Sequence, residues 1–170
     1  MTSEKLRASL NNLMNGQLEA HHFYLQGAAW AAGRSLSGAH SFLLKHASDE
    51  LGHMHRLFRY LVDVGAPASF AALPQPGISA NAVKGLFEAV RDQELKVTHN
   101  VGLVYEQATV EKDHATVSFL KTFIDEQHEE NAQCRFVLDR IELIGDGPES
   151  LYFIDRELAA LADGKEAAAA

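Results

Sequence analysis

Acidic side chains occur where the sequence pattern predicts the core of a helix. Residues 124–134 (IDEQHEENAQC) contain a stripe of positions that are three and four residues apart, as on the buried face of a helix. Gln127 lies on this stripe, and Glu130 comes three residues after it. Earlier in the chain, Glu50 and His53 have the same three-residue spacing, which puts two side chains on one helix face. A buried carboxylate without a partner costs several kcal/mol. The pattern therefore favours carboxylates and a histidine that bind a cation.

The elements that must position these residues are helices. Helical periodicity runs through nearly the whole sequence, and strand patterns are almost absent. A proline-rich connection of about 15 residues follows the second helix and reaches about 50 Å when extended, more than the roughly 40 Å of one long helix. We therefore predict an all-α four-helix bundle with one long crossover between the second and third helices and a short fifth helix. The predicted helices are 3–32, 38–64, 81–110, 114–144 and 149–162, with Ser3, Ser37 and Asp113 as N-caps.

The register of the polar residues predicts that they share one layer. Gln17 precedes Glu50 by 33 positions, and Glu94 precedes Gln127 by the same number. The tripeptide SFL at 41–43 recurs at 118–120, an offset of 77 that also relates Gln17 to Glu94. The two helical hairpins therefore look like structural repeats, and each contributes its polar pair at the same level of the bundle.

A layer with three buried carboxylates requires a compensating positive charge. Oxygen ligands with one imidazole suit iron or another first-row metal, and carboxylates on facing helices can bridge two iron ions. A single ExxH pair such as Glu50 and His53 is common by chance, so the prediction depends on the whole set. The predicted layer comprises Gln17, Glu50, His53, Glu94, Gln127 and Glu130.

The amino-acid composition disfavours some classes of function. The net charge is −8 and the pI about 5.5, which disfavours nucleic-acid binding. We expect no signal peptide and no membrane span, because no apolar run is long enough, and we expect a cytoplasmic protein. The single cysteine, Cys134, is expected to be buried and inert. We expect residues 1–163 to form one domain and residues 164–170 (GKEAAAA) to be a disordered tail.

Four segments together resemble the bacterial non-haem ferritins. They are residues 24–30, HASDELGHM at 46–54, DEQHEE at 125–130 and LYFIDREL at 151–158. The likeness covers essentially the whole chain. It implies a homo-oligomeric cage of 24 subunits that oxidises Fe(II) with O₂ or peroxide at a di-iron site and stores ferric mineral.

The resemblance also implies a role for each matching residue. Glu50 would bridge the two ions and His53 would bind the first, while Glu94 and Glu130 would bind the second with Gln127 beside the pair. A third iron site and a tyrosine near the ions are implied as well. Asp49, Glu126 and Glu129 would form that third site, and Tyr24 is the tyrosine.

One departure from the family affects the predicted site. The family has a glutamate ligand on the first helix, where this chain has Gln17, and His21 lies one turn away on a similar face. Leu51 stands where bacterioferritins carry a haem-binding methionine, so we expect no haem.

Four functions remain open from the sequence. The first is a ferroxidase and iron-storage cage, and the second is a catalytically weak ferritin subunit, which Gln17 favours. The third is an iron-free interaction module, against which the matched polar layer argues. The fourth is a di-iron oxygenase.

Overall fold

The computed structural model describes residues 2–145 and 147–164. The helices are α1 (Glu4–Ala32), α2 (Ser37–Asp63), α3 (Val83–Val110), α4 (His114–Ile144) and α5 (Pro148–Ala162). These residues contain no strand, which confirms the all-α prediction, and the helix bounds agree with the predicted ones within two residues. None of the described helices is both long enough and apolar enough to cross a bilayer. The predicted tail lies outside the described residues, apart from Gly164.

Two of the three predicted N-caps are confirmed. The side chain of Ser3 accepts a hydrogen bond from the Leu6 amide at 3.0 Å, and Asp113 accepts one from the Thr116 amide at 3.2 Å. The prediction for Ser37 is wrong, because α2 begins at that residue and its N-cap position has no side-chain cap bond.

A carboxylate from α5 caps α2 instead. Asp155 accepts hydrogen bonds from the amides of Gly38 at 3.0 Å and Ala39 at 2.9 Å. The two backbones approach so closely that a Cβ at Gly38 would lie 1.8 Å from the Asp155 carbonyl oxygen, so only glycine fits there. Ile154 and Leu158, which are also on α5, are buried in the apolar core. α5 is therefore held to the start of α2 by both polar and apolar contacts.

The long crossover runs along α1. Near one end, the side-chain amide of Asn15 donates to the Ser69 carbonyl at 2.8 Å, and near the other the Trp30 indole donates to the Ala80 carbonyl at 2.8 Å. Asn15 and Trp30 are about 22 Å apart along a helix. The connection therefore spans much of the bundle and lets α2 and α3 run in the same direction, as predicted.

The polar layer lies between two apolar clusters. The first cluster includes Tyr24, Leu43, Phe87 and Ile141, and the second includes Leu10, Leu57, Val101 and Phe123. On three helices, one polar residue lies along the chain between the residues of one cluster and those of the other. These residues are Glu50 on α2, Glu94 on α3 and Gln127 on α4. On α1 the boundary falls between Ala20 and Tyr24, so Gln17 lies among residues of the second cluster.

We expect Asp155→Ala to weaken the junction of α2 and α5, because two amides at the start of α2 lose their acceptor. Loss of such a cap costs about 1–2 kcal/mol. The midpoint of thermal unfolding measures the effect. Asp139→Ala, at an exposed position of α4, is the matched control. Equal midpoints for the two variants would contradict the role of Asp155.

Candidate metal centre

α2 presents an acid and an imidazole side by side. Glu50 is 1% exposed and His53 8% exposed, and Nδ1 of His53 lies 3.3 Å from Oε2 of Glu50. Their three-residue spacing points both side chains from α2 into the bundle. The helix pattern thus brings two potential metal ligands to one buried position.

α3 and α4 supply two further carboxylates. Glu94 is fully buried, and its Oε1 accepts a hydrogen bond from the Tyr24 hydroxyl. The side-chain amide of Gln127 donates to Glu94 Oε2 at 3.4 Å and to Glu130 Oε2. Tyr24 and Gln127 therefore connect the two carboxylates to α1 and to each other.

Three of the predicted ligands converge. One ligand atom from each of Glu50, His53 and Glu130 lies within 4.8 Å of the other two. Glu94 adjoins this group through Gln127. Two carboxylates and an imidazole at this separation can coordinate a first-row metal ion, and the adjacent Glu94 supplies oxygen atoms for a second.

Burial raises the pKa of every carboxyl group in the layer. Desolvation is the main cause, and it raises the pKa of Glu50 well above its ordinary value, with Glu94 as the next cause. Desolvation, with the neighbouring Glu94 and Glu50 charges, also raises the pKa of Glu130 to about 10. Burial likewise raises the pKa of Glu94 and lowers that of His53. Burial of the carboxyl groups therefore favours their protonated forms unless a cation neutralises their charges.

Two buried polar side chains have atoms that lack hydrogen-bond partners. Gln17 is fully buried, and neither its Oε1 nor its Nε2 has a hydrogen-bond partner among the described residues. Oε1 of Glu50 is buried and unpartnered too. An unsatisfied buried polar atom costs about 1–3 kcal/mol. A cation bound by Glu50 would remove this cost at its Oε1, whereas the NH₂ group of Gln17 cannot bind a cation.

His21 contacts the backbone of α2. Its Nδ1 lies 2.6 Å from the carbonyl oxygen of Ala47, so one of the two ring nitrogens is already in a polar contact. This contact places His21 beside α2 one turn before Glu50.

The residues expected to form a third site line a groove of about 630 Å³ between α2 and α4. Asp49, Glu126 and Glu129 all lie on it. The Glu126 carboxylate is already paired, because both of its oxygens accept hydrogen bonds from Arg56, one of them at 2.8 Å. The Arg56 guanidinium also stacks 4.2 Å from the centre of the Phe123 ring. A cation at this position therefore competes with an arginine.

Sequence reasoning missed several residues that contact the site. Thr98 and Asn131 bond to Gln127, and each lies four residues after a layer residue on its own helix, a spacing that was available as a signal. His46 stacks on Tyr24 at 5.3 Å and lies 3.0 Å from Gln133 Oε1. Burial lowers the pKa of His46 to about 4, so its ring is neutral near pH 7.

Cys134 lies at the edge of the first cluster and is 2% exposed, as expected. Burial raises the pKa of its thiol to about 12. The thiolate is the reactive form of cysteine, so this residue is inert at neutral pH.

The fold and the site define the class. A four-helix bundle with one long crossover, and with carboxylates and a histidine facing one another at its centre, has the architecture of the carboxylate-bridged metal proteins. The ferritin-like domain matches residues 7–144, and the chain belongs to the ferritin family.

The relatives are ferritins. The chain is 33% identical over 161 residues to a bacterial non-heme ferritin of Escherichia coli O6:H1, which covers 95% of this chain and 98% of that one. It is 36% identical over 160 residues to a bacterial non-heme ferritin of Staphylococcus saprophyticus, covering 94% and 96%. Among solved structures, a closed form engineered from the Archaeoglobus fulgidus ferritin aligns with a TM-score of 0.90 at 29% identity, covering 94% and 97%. The open-pore ferritin of the same archaeon aligns with a TM-score of 0.89 at 29% identity, covering 92% and 96%.

The raised carboxyl pKa values predict a pH-dependent stability for the metal-free protein. Above the ordinary pKa of Glu50, the unfolded chain ionises while the folded chain keeps its proton, so rising pH favours unfolding until the raised pKa is reached. Glu50→Gln removes the contribution of Glu50 to this dependence. In the presence of a chelator, the variant should gain stability relative to the parent between pH 5 and pH 8, by at most about 1.4 kcal/mol per pH unit.

Thermal unfolding midpoints at the two pH values provide the measurement. Glu129→Gln, at an exposed position on the groove, is the control and should show no such trend. If the unfolding midpoints of Glu50→Gln and the parent differ by the same amount at pH 5 and at pH 8, Glu50 is ionised in the metal-free fold.

Proposed function

We propose that this protein oxidises Fe(II) at a paired site inside each subunit and stores the ferric product within a closed homo-oligomeric shell. The observation that carries this proposal is the buried layer of Glu50, His53, Glu94 and Glu130, where burial raises the pKa of the carboxyl groups. The close likeness to proteins named bacterial non-heme ferritin supports iron as the cation.

Each residue of the layer has a role in the proposal. Glu50 bridges the two iron positions, with His53 at the first position and Glu94 and Glu130 at the second. Gln127 lies beside the second position. Iron displaces the carboxyl protons when it binds, because ligands act in their deprotonated form. Two Fe(II) bound there would give two electrons to O₂, which with two protons becomes hydrogen peroxide, or to hydrogen peroxide, which with two protons becomes two waters. Tyr24 holds Glu94 in place through its hydroxyl.

The proposal includes an adjacent third position. Asp49, Glu126 and Glu129 line the groove next to the pair and are suited to take up ferric iron on its way to storage. Glu126 must release Arg56 before it can bind iron.

The shell is proposed to contain 24 copies. Support comes from α5, where Tyr152 is 62% exposed and Phe153 53% exposed in the single chain, and neighbouring copies would cover such side chains. We propose further that residues 1–163 form one domain, that the protein is cytoplasmic and that it binds neither haem nor nucleic acid.

A second candidate function is that of a ferritin subunit with weak oxidase activity that builds the shell and nucleates mineral. Gln17 favours it, because a neutral amide replaces a charged ligand and lies among apolar residues of the second cluster. Three carboxylates then face two Fe(II) ions, one negative charge fewer than full neutralisation requires.

Aerobic addition of Fe(II) to the metal-free protein tests the function. We expect a rise in ferric absorbance, with the iron retained in the large species during gel filtration. Glu50→Gln and Glu94→Gln should slow the oxidation steeply, by tenfold or more. Glu106→Gln, an exposed site on α3, is the control and should oxidise iron at the parent rate.

A parent rate in either Glu50→Gln or Glu94→Gln would refute the assignment of the oxidation site. Iron retained with no oxidation above that of the buffer would favour the second candidate function. Light scattering on the same sample reports the size of the assembly, and a monomer or dimer at micromolar concentration would rule out a closed shell.

The role of Gln17 yields a separate prediction. In the proposal Gln17 stands where the family has a glutamate ligand, so Gln17→Glu supplies the missing negative charge and the ion held by Glu50 and His53 should bind more tightly. We expect faster oxidation in the first turnover, measured by stopped flow after two Fe(II) per subunit. A rate that is unchanged or lower would show that Gln17 is not at an iron ligand position in this chain.

A further inference from the structure

Thr98 lies outside the predicted ligand set but bonds directly into it. Its hydroxyl oxygen lies 2.8 Å from Oε1 of Gln127 and 2.8 Å from the backbone carbonyl oxygen of Glu94, and the single proton of the hydroxyl is shared between these acceptors. Thr98 comes one helical turn after Glu94 on α3, so its side chain reaches across to α4 at the level of the layer.

Asn131 completes the contact from α4. Its side-chain amide donates to the hydroxyl oxygen of Thr98 at 2.7 Å and to the backbone carbonyl of Gln127 at 2.7 Å. The hydroxyl of Thr98 thus accepts one hydrogen bond and donates another. This arrangement fixes the direction of its proton toward Gln127 and the turn of α3 that carries Glu94.

These bonds determine which way the Gln127 amide faces. Because Oε1 accepts from Thr98, the NH₂ group points to the opposite side, where it donates to Glu94 and Glu130. The reverse orientation would direct the amide oxygen at two carboxylate oxygens. Gln127 is 3% exposed, so water cannot replace a lost partner.

We propose that Thr98 is a positioning residue for the cation held by Glu94 and Glu130, and that it acts through the amide of Gln127. This inference rests on the proposed function, since it concerns the second ion of the same pair. By holding the NH₂ group against both carboxylates, Thr98 fixes the distance between them and leaves their other oxygens to the ion. Partners that orient metal ligands in this way commonly alter metal affinity by tenfold or more when they are removed.

The effect should be greater on one side of the site. Glu50 and His53 on α2 contact each other and make no hydrogen bond to Thr98 or Gln127 among the described residues. Loss of the Thr98 hydroxyl should therefore weaken the ion on the α3–α4 side much more than the ion on the α2 side, which it reaches only through the shared carboxylates. A general loss of packing would weaken both.

The experiment is an anaerobic titration of the metal-free full-length protein with Co(II), followed by visible absorption and calorimetry. Thr98→Val removes the hydroxyl with little change in shape, and Thr98→Ser retains it. Thr109→Val is the matched control, because Thr109 makes the same bond to its own helix, to the Tyr105 carbonyl at 2.9 Å, at an exposed position.

We expect two classes of Co(II) site in the parent. Thr98→Val should weaken one class about tenfold and leave the other within about twofold, while Thr98→Ser and Thr109→Val should bind as the parent does. Parent-like binding by Thr98→Val would overturn the inference while leaving the proposed function intact. So would equal weakening of both classes, or a failure of Thr98→Ser to restore affinity. A parent that binds no Co(II) would instead overturn the proposed function, and this inference with it.

Discussion

The structure depends on one constraint, which is that the centre of the bundle contains more carboxyl groups than its own basic groups can neutralise. Glu50 and Glu94 are almost fully buried, and Glu130 lies beside them. Ionised carboxylates at these positions would repel one another at a low local dielectric. Such a layer is favoured when protons on some of the carboxyl groups, or cations between them, reduce the negative charge. Binding of metal and release of protons are two descriptions of the same exchange.

The scaffold serves to hold this layer at fixed geometry. Two apolar clusters pack on either side of it, and the long crossover lets α2 and α3 run in the same direction. The support is uneven, however. Glu94 has hydrogen bonds from Tyr24 and Gln127, whereas Oε1 of Glu50 has no hydrogen-bond partner among the described residues. The carboxyl group of Glu94 is therefore held in place before an ion binds, and Oε1 of Glu50 would gain a partner from one.

Much of this arrangement was predictable from the sequence because it follows from local spacing. Helix bounds depend on caps such as Ser3 and Asp113, and the spacing along each helix places Glu50, Glu94 and Gln127 between the two clusters. The predicted register is wrong for Gln17, which lies among residues of the second cluster. The cap of α2 by Asp155 was not predictable, since it joins positions more than a hundred residues apart. The pairing of Arg56 with Glu126 depends on the rotation of α2 against α4. The spacing of polar residues along the chain does not show how far one helix is rotated against another.

The most direct test of the central claim is the number of protons released when a redox-inert ion such as Zn(II) binds to the metal-free protein. Calorimetry at pH 7 in buffers of different ionisation enthalpy gives this number. If the layer exchanges protons for cations, about two to three protons per subunit should leave as the site fills, and Glu50→Gln should release fewer. A binding enthalpy that is independent of the buffer would show that the carboxyl groups are already ionised in the empty bundle, and would contradict the account.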